Sequence, residues 1–165
     1  MRPSKARNIL DIAREVAKRS PCSRRKYGAV LVSVDGVILS TGYNGSVRGA
    51  YNCGEDLECL KDLYGEPHYT SYNYCPGVHA EQNAIINAAR EGIRISGSDL
   101  YLNSSEDGKC QRPCIMCRRI MTNSGIRRCC YINEQGTIVE EEVSSWVELE
   151  NKWMEEKRSG SRKIV

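Results

Sequence analysis

The stretch His79-Ala80-Glu81, followed later in the chain by Pro113-Cys114-Ile115-Met116-Cys117, decides how this protein is organised. One imidazole and two thiols are three ligands for a tetrahedral zinc ion. Catalytic zinc sites have three protein ligands and an open position for water, whereas structural sites are closed by four. The glutamate lies two residues after the histidine, too close along the chain to be a comfortable fourth ligand. The pattern therefore predicts an open zinc site with a carboxylate beside it.

An open site of this kind suits hydrolysis of an amidine. Zinc lowers the pKa of a bound water to around 7, so that it can attack an electron-poor carbon such as C4 of cytosine. The reaction also needs protons on a ring nitrogen and on the leaving amine, and Glu81 can carry both. The alternative is a closed zinc knuckle in which His79, Cys114 and Cys117 are joined by Cys110. Spacing alone does not exclude that alternative, but Glu81 and the placement of the ligands at helix starts favour the catalytic site.

The composition indicates one ordinary globular domain. The chain has 165 residues, a length that buries roughly 70% of the unfolded surface. Its net charge is +3. We expect neither a membrane span nor a signal peptide, because no apolar run is long enough. The nine cysteines are odd in number and Cys129 adjoins Cys130, which argues against a secreted disulfide framework and for the reducing cytosol. We expect these two adjacent thiols to be small core residues.

Apolar periodicity predicts alternating strands and helices. Asp35-Gly36 predicts a two-residue hairpin turn, and glycines end two of the helices. These elements predict an α/β protein, a three-layer α/β/α domain over residues 1–158 with a five-stranded mixed sheet, followed by a flexible tail at 159–165. The predicted helices are 5–19, 79–91, 114–124 and 144–157, and the predicted strands are 29–34, 37–41, 99–103, 129–133 and 137–140.

Several stretches resemble the deoxycytidylate (dCMP) deaminases of the cytidine-deaminase superfamily, and the resemblance runs from about Ala6 to Asn133. Two of these stretches separate that family from other zinc deaminases, and together they are specific. The matching segments are Cys22 to Val32 (CSRRKYGAVLV), Ser40 to Gly45 (STGYNG) with Arg48-Gly49 after it, His79 to Ala84 (HAEQNA), and Pro113 to Cys117.

The resemblance implies a cytidine-deaminase-like fold and hydrolysis of dCMP to dUMP and ammonia, which would supply thymidylate synthesis. It implies that Asn44 and Ala80 contact the nucleotide, that Arg24 or Arg25 helps to hold the 5′-phosphate, and that Gly42, Tyr43, Asn44 and Gly45 form an allosteric loop. Many members are homohexamers activated by dCTP and inhibited by dTTP, and Mg²⁺ would accompany the effector nucleotide. Neither a stable nucleic-acid partner nor a membrane is implied.

The long segment 42–78 is predicted to be irregular, and a loop of that length is uncommon unless it is functional or held by a cross-link such as a metal ion. The resemblance to bacterial and phage relatives implies that this segment is held by a second, structural zinc. Its ligands would be Cys22, Cys53, Cys59 and Cys75, with His68 as an alternative ligand. Four thiolates form a closed tetrahedral site.

Two other functions stay open from the sequence. The same zinc motif serves deaminases of an RNA base or of a riboflavin precursor, and the loop Gly42 to Gly45 favours a free nucleotide over these. A non-catalytic zinc module would have both metals fully coordinated by protein.

Overall fold

The computed structural model describes residues 1–67, 74–107 and 110–160, and within them the chain forms alternating helices and strands. The helices are α1 (Lys5–Ala17), α2 (Leu60–Leu63), α3 (Ala80–Arg90), α4 (Ile115–Asn123) and α5 (Trp146–Gly160). The strands are β1 (Tyr27–Val32), β2 (Ile38–Tyr43), β3 (Gly45–Ser46), β4 (Gly77–Val78), β5 (Asp99–Ser104), β6 (Arg128–Ile132) and β7 (Ile138–Glu142).

Five of the strands in the described ranges form the main sheet, in the order β2-β1-β5-β6-β7. Neighbours are antiparallel except β5 and β6, which are parallel. The predicted five-stranded mixed sheet is therefore confirmed. The parallel pair requires a crossover, and α4 supplies it, as expected for a connection between parallel strands.

Helices cover both faces of the sheet, which confirms the three-layer α/β arrangement. On one face α1 packs through Leu10 and Ala13 against Val30 and Cys130. On the other face the helices α3 and α4 pack through Ala84 and Met121 onto β1, β5 and β6. Cys129 and Cys130 are both fully buried in the sheet, as predicted.

Two glycines let helices approach the sheet at backbone distance. A Cβ placed on Gly28 would lie 2.1 Å from the Ala13 carbonyl oxygen of α1. A Cβ on Gly42 would lie 2.3 Å from the Ala84 nitrogen of α3. Neither contact is sterically possible, so only glycine allows this packing. The second close approach fixes α3, whose first turn carries the metal motif.

The first hairpin differs from the prediction. β1 ends at Val32, and the backbone N–H of Ser33 donates to the Val37 carbonyl at 2.8 Å. The turn consequently contains three residues, with Gly36 at a positive φ of 88°, instead of the predicted two. A three-residue loop with glycine in the left-handed position is the next most common hairpin connection.

The segment 42–78 is more ordered than its composition predicts. β3 and β4 lie near its two ends and pair with each other, Gly45 with Val78 and Ser46 with Gly77. The short helix α2 lies between them. The loop is thus closed by backbone hydrogen bonds.

The C-terminal helix α5 is longer than predicted. Residues 159 and 160, which we expected to begin a flexible tail, belong to its last turn, and the rest of that predicted tail lies outside the described residues. Across the described ranges, no helix combines the length and the apolar character that crossing a bilayer demands.

Candidate metal centre and active site

The two halves of the zinc motif meet at one edge of the sheet. β2 and β5 are both antiparallel to β1 and therefore run parallel to each other, and their last residues, Tyr43 and Ser104, lie opposite the first residues of β1. His79 is the N-cap of α3 and Cys114 is the N-cap of α4. Ligands in open α/β sheets bind at the carboxyl ends of the strands, and the motif lies at that end.

His79, Cys114 and Cys117 present one ligand atom each to a common point. The His79 Nδ1 atom lies 3.4 Å from the Cys114 sulfur and 3.3 Å from the Cys117 sulfur. All three atoms lie within 4.8 Å of one another. Tetrahedral bonds of about 2.0 Å to nitrogen and about 2.3 Å to sulfur would separate these atoms by about 3.5 Å. The residues present therefore fit a zinc ion.

The two thiols differ in acidity because they share one proton. A hydrogen bond from the Cys117 thiol lowers the pKa of Cys114 to about 3. The same hydrogen bond, together with burial, raises the pKa of Cys117. The backbone N–H of Cys117 also donates to the Cys114 sulfur at 3.5 Å, as expected at a helix N-terminus. A cation at this point would allow both thiols to ionise, which is the form that binds zinc.

Glu81 lies beside this cluster in the first turn of α3. It is only 4% exposed, and burial raises the pKa of its carboxyl. Its side chain also interacts with the Cys117 thiol. A carboxyl whose pKa is raised by burial is shifted in the direction that general acid–base catalysis requires.

The closed zinc knuckle with Cys110 does not form. The Cys110 thiol is buried in the main core, where it donates to the Leu102 carbonyl at 3.5 Å. In the described part of the chain, the compact group of metal-ligating side chains contains His79, Cys114 and Cys117 without a fourth member. The cluster therefore has the three-ligand form of a catalytic site.

A cavity of about 230 Å³ opens in front of this cluster. It is lined by most of the residues that the sequence proposed for function, so the fold brings them to a single site. Those lining residues are Cys22, Arg24, Arg25, Asn44, Gly45, Cys53, Cys59, Cys75, His79, Ala80, Glu81 and Cys114.

Two of the predicted nucleotide contacts are engaged with the protein itself. The Asn44 side-chain oxygen accepts from the Tyr27 backbone N–H at 2.7 Å, and its amide donates to the Arg25 carbonyl at 2.9 Å. The Arg24 guanidinium lies 2.5 Å from the Asp62 carboxylate and donates to the Glu66 carbonyl at 2.8 Å. Asn44 thus fixes the edge of the cavity, and Arg24 ties the 42–78 segment to β1.

The residues of the proposed allosteric loop have different environments. Gly42 packs against the α3 backbone, so its small size has a packing role. Gly45 lines the cavity, whereas Tyr43 is about one third exposed.

The four cysteines proposed for a second metal also line the cavity. Burial and, after it, the nearby Cys59, Cys22 and Cys75 together raise the pKa of Cys53 to about 11. These sulfurs are therefore neighbours, although the described residues do not form a second group as compact as the one around His79. His68, the alternative ligand, lies outside the described residues.

Lys61 is a cavity residue that the sequence did not single out. It is 7% exposed, lies in α2 and lines the cavity together with His79. The hydrogen bond with Cys114 raises the pKa of His79, and the nearby charge of Lys61 acts in the opposite direction. No motif marks this lysine, and α2, which carries it, is only four residues long.

Comparison with known proteins agrees with the geometry. The family profile described as "Cytidine and deoxycytidylate deaminase zinc-binding region" matches residues 3–133. Deoxycytidylate deaminase of Mycobacterium phage D29 is 36% identical over 138 residues, covering 81% of this chain and 98% of that protein. Deoxycytidylate deaminase of Enterobacteria phage T4 is 31% identical and covers 77% of each chain.

A solved structure shows the same likeness in three dimensions. The dCMP deaminase of cyanophage S-TIM5, crystallised with dCMP and dUMP, superposes with a TM-score of 0.61 at 30% identity, covering 81% of this chain and 84% of that one. The profile covers the strands and helices that carry His79, Glu81, Cys114 and Cys117. The chain therefore belongs to the cytidine and deoxycytidylate deaminase family, and it is a zinc-binding deaminase that acts on C–N bonds.

Proposed function

We propose that this protein hydrolyses dCMP to dUMP and ammonia. The observation that carries the proposal is a single cavity lined by the three-ligand cluster, the buried Glu81, and the basic residues Arg24 and Arg25. The names of the phage relatives and the nucleotides bound in the S-TIM5 enzyme support the same substrate. The product dUMP is the precursor that thymidylate synthesis consumes.

Glu81 carries the protons of this reaction. His79, Cys114 and Cys117 would hold the zinc ion, which would supply the Lewis acidity that lowers the pKa of a water molecule. Glu81 accepts a proton from the attacking water and delivers it to ring nitrogen N3 as the new C4–O bond forms. It then takes the hydroxyl proton and delivers it to the amino nitrogen, and the C4–N bond breaks to release ammonia. The atoms of one water and one dCMP are accounted for in dUMP and ammonia.

One assay tests the substrate assignment. The purified protein is incubated separately with dCMP, CMP, dCTP, deoxycytidine and an adenosine-containing tRNA, and the ammonia released is measured. We expect dCMP to give the largest kcat/KM, with a smaller preference over CMP, because rejection of one added hydroxyl is limited without a steric clash. A kcat/KM for deoxycytidine comparable to that for dCMP would contradict the nucleotide assignment and leave the deaminase assignment intact.

We also propose a second, structural zinc at Cys22, Cys53, Cys59 and Cys75. Its support is that all four line the cavity and that Cys59, Cys22 and Cys75 raise the pKa of Cys53. Binding of an ion there would draw the sulfurs together and hold the 42–78 segment. Metal analysis should find two zinc ions per chain.

Regulation and assembly are proposed from the resemblance alone. They comprise activation by dCTP with Mg²⁺, inhibition by dTTP, a homohexamer and a cytoplasmic location. Initial rates with each effector and sedimentation velocity test the first three. The cytoplasmic location stays a prediction.

A further inference from the structure

The helix α3, which begins with the metal motif, is fastened to the edge of the sheet by two asparagine side chains. The amide of Asn83 donates to the backbone carbonyl of Tyr43 at 2.8 Å, and the amide of Asn87 donates to the carbonyl of Thr41, also at 2.8 Å. β2 is an edge strand of the main sheet within the described ranges, and an edge strand has carbonyls that no neighbouring strand pairs. The two amides therefore satisfy backbone acceptors on the outer side of β2.

The spacing of the two donors matches the spacing of the two acceptors. Asn83 and Asn87 are four residues apart, which is one turn of helix and a rise of about 6 Å. Tyr43 and Thr41 are two residues apart on a strand, a distance of about 6.6 Å, and their carbonyls face the same side. Because α3 and β2 run in opposite directions, both amides reach their carbonyls at the same bond length. Together the two contacts fix the position of α3 along β2, which a single contact would not do.

Asn83 also contacts the turn that carries the metal motif. Its backbone N–H donates to the His79 carbonyl at 2.9 Å, so it closes the first turn of α3, in which Glu81 lies. Its side chain holds Tyr43, the last residue of β2, next to Asn44 at the edge of the cavity. This one residue therefore joins the N-cap that presents the imidazole to the end of the strand beside the cavity.

Asn87 makes the same kind of contact one turn farther from the motif. Its side-chain oxygen accepts from Arg48 Nη2 at 2.5 Å, so the orientation of its amide is fixed at both ends. A third tether lies nearby, where the Ser40 hydroxyl donates to the Ala84 carbonyl at 2.8 Å. Removal of one asparagine side chain would therefore leave α3 on the sheet, and only removal at Asn83 would release its first turn.

We infer that Asn83 is a positioning residue for the reaction, because its contact with β2 holds the first turn of α3 in place and Glu81 with it. Asn87 anchors the same helix without affecting the chemistry. This inference rests on the proposed function, because it concerns the proton transfers assigned to Glu81. A displacement of about 1 Å at a reacting group can lower the rate by about 100-fold. A contact that only stabilises the fold would not change the rate of the folded enzyme.

The test compares Asn83→Ala with Asn87→Ala in the full-length, zinc-saturated protein. The two substitutions are matched, because each removes an amide-to-carbonyl hydrogen bond of the same length from the same helix. We expect each to lower Tm by at least about 2–4 °C, the shift for loss of one such bond. The kcat for dCMP should fall by about 10- to 100-fold in Asn83→Ala and stay within about twofold of wild type in Asn87→Ala. KM should change by less than about twofold in both variants, since the lost interaction acts on the chemical step.

Zinc affinity gives a readout without turnover. The first turn of α3 also presents His79, so Asn83→Ala should raise the dissociation constant for zinc, measured by competition with a chelator, by about 10-fold. Asn87→Ala should leave that constant unchanged. Asn83→Leu removes the donor and keeps most of the volume, so it provides a second variant with the same expected results if Asn83→Ala folds poorly.

Two results would overturn the inference while sparing the proposed function. Either Asn83→Ala lowers Tm and keeps the wild-type kcat, or the two variants lose kcat and zinc affinity equally, which would show that Asn83 only stabilises the fold. If the wild type does not deaminate dCMP, the proposed function fails separately. The zinc dissociation constants of the two variants would then still decide whether Asn83 positions the first turn of α3.

Discussion

The Arg112 guanidinium lies 2.5 Å from the carboxylate of Glu141. Arg112 is two residues before Cys114, one of the three candidate metal ligands. The same carboxylate accepts hydrogen bonds from Trp146 Nε1 at 2.5 Å and from the Tyr131 hydroxyl at 2.7 Å. One side chain of β7 therefore joins the loop before α4 to β6 and to the start of α5. This network holds the backbone that presents Cys114 to the cavity.

Replacement of Glu141 by Gln should loosen that loop. The amide keeps the size of the side chain but loses the charge that Arg112 pairs with, so we expect the free energy of unfolding to fall by about 1–3 kcal/mol. Urea unfolding measures this value. Glu148→Gln, at an exposed position of α5, is the matched control and should have almost no effect. An equal effect of the two substitutions would contradict the role of the network.

The contribution of Glu141 should also depend on pH. Burial acts to raise the pKa of this carboxyl, but hydrogen bonds from Arg112, Trp146 and Tyr131 outweigh it and hold the pKa below its usual value. Its stabilisation is therefore present above the pKa of the unfolded chain, about 4.3, and is lost as the pH falls through the folded value. Unfolding free energies from pH 7 to pH 3 should show wild type and Glu141→Gln converging in acid, and a constant difference would count against this.

Glu81→Gln should separate chemistry from metal binding. Because Glu81 carries protons and does not bind the metal in our mechanism, the variant should keep its zinc and its Tm while kcat falls by at least about 10²–10⁴-fold. Metal analysis and ammonia release measure the two properties. Wild-type-like turnover by the zinc-loaded variant would disprove the proton-transfer role.

The two proposed zinc sites should respond differently to loss of a ligand. Cys117→Ala should abolish activity and leave the 42–78 segment largely intact, because Cys117 lies in α4 and the β3–β4 pairing is separate from it. Cys53→Ala should lower Tm and make that segment sensitive to protease. Cys130→Ala is a control outside both sites, since Cys130 lies in the α1 face of the core. One zinc per chain after gentle purification would disprove the second site.

Replacement of Arg24 and replacement of Arg25 should affect different properties of the protein. Arg24→Gln removes the contacts with Asp62 and with the Glu66 carbonyl, so it should lower Tm as well as raise KM for dCMP. Asp62→Asn should lower Tm in the same way. Arg25→Gln should raise KM for dCMP and leave deoxycytidine turnover nearly unchanged if Arg25 contacts the phosphate. An unchanged Tm in both Arg24→Gln and Asp62→Asn would show that the ion pair does not hold the segment.

The sequence was most informative where the spacing of residues along the chain determines the structure. Helical periodicity placed α1 and α3 within a few residues of their observed ends, and Ser4 caps α1 by accepting from the Arg7 N–H at 3.1 Å. The motif spacing also selected the three residues, His79, Cys114 and Cys117, whose ligand atoms the fold brings together. In both cases the information is local, or lies in residue types whose chemistry is distinctive.

Long-range partners were not predictable in the same way. The pairing of Arg24 with Asp62 joins two charged residues in an irregular part of the chain, and any of several acids could have been its partner. The β3–β4 pair contains only four residues, mostly small, so no alternation marks it. Lys61 has the sequence context of a solvated lysine, and only tertiary packing places it in the cavity.

The backbone contacts at Gly28 and Gly42 bear on how tolerance to substitution should be interpreted in this protein. In a saturation-mutagenesis experiment both positions would rank with His79 and Glu81 among those that accept no replacement. Glycine, however, has only a hydrogen atom as its side chain and takes no part in the chemistry. The cause would be the missing space between helix and sheet, not contact with a nucleotide. Intolerance within the stretches Cys22 to Val32 and Ser40 to Gly45 therefore combines two kinds of selection, one for packing and one for chemistry, and a fitness score alone does not separate them.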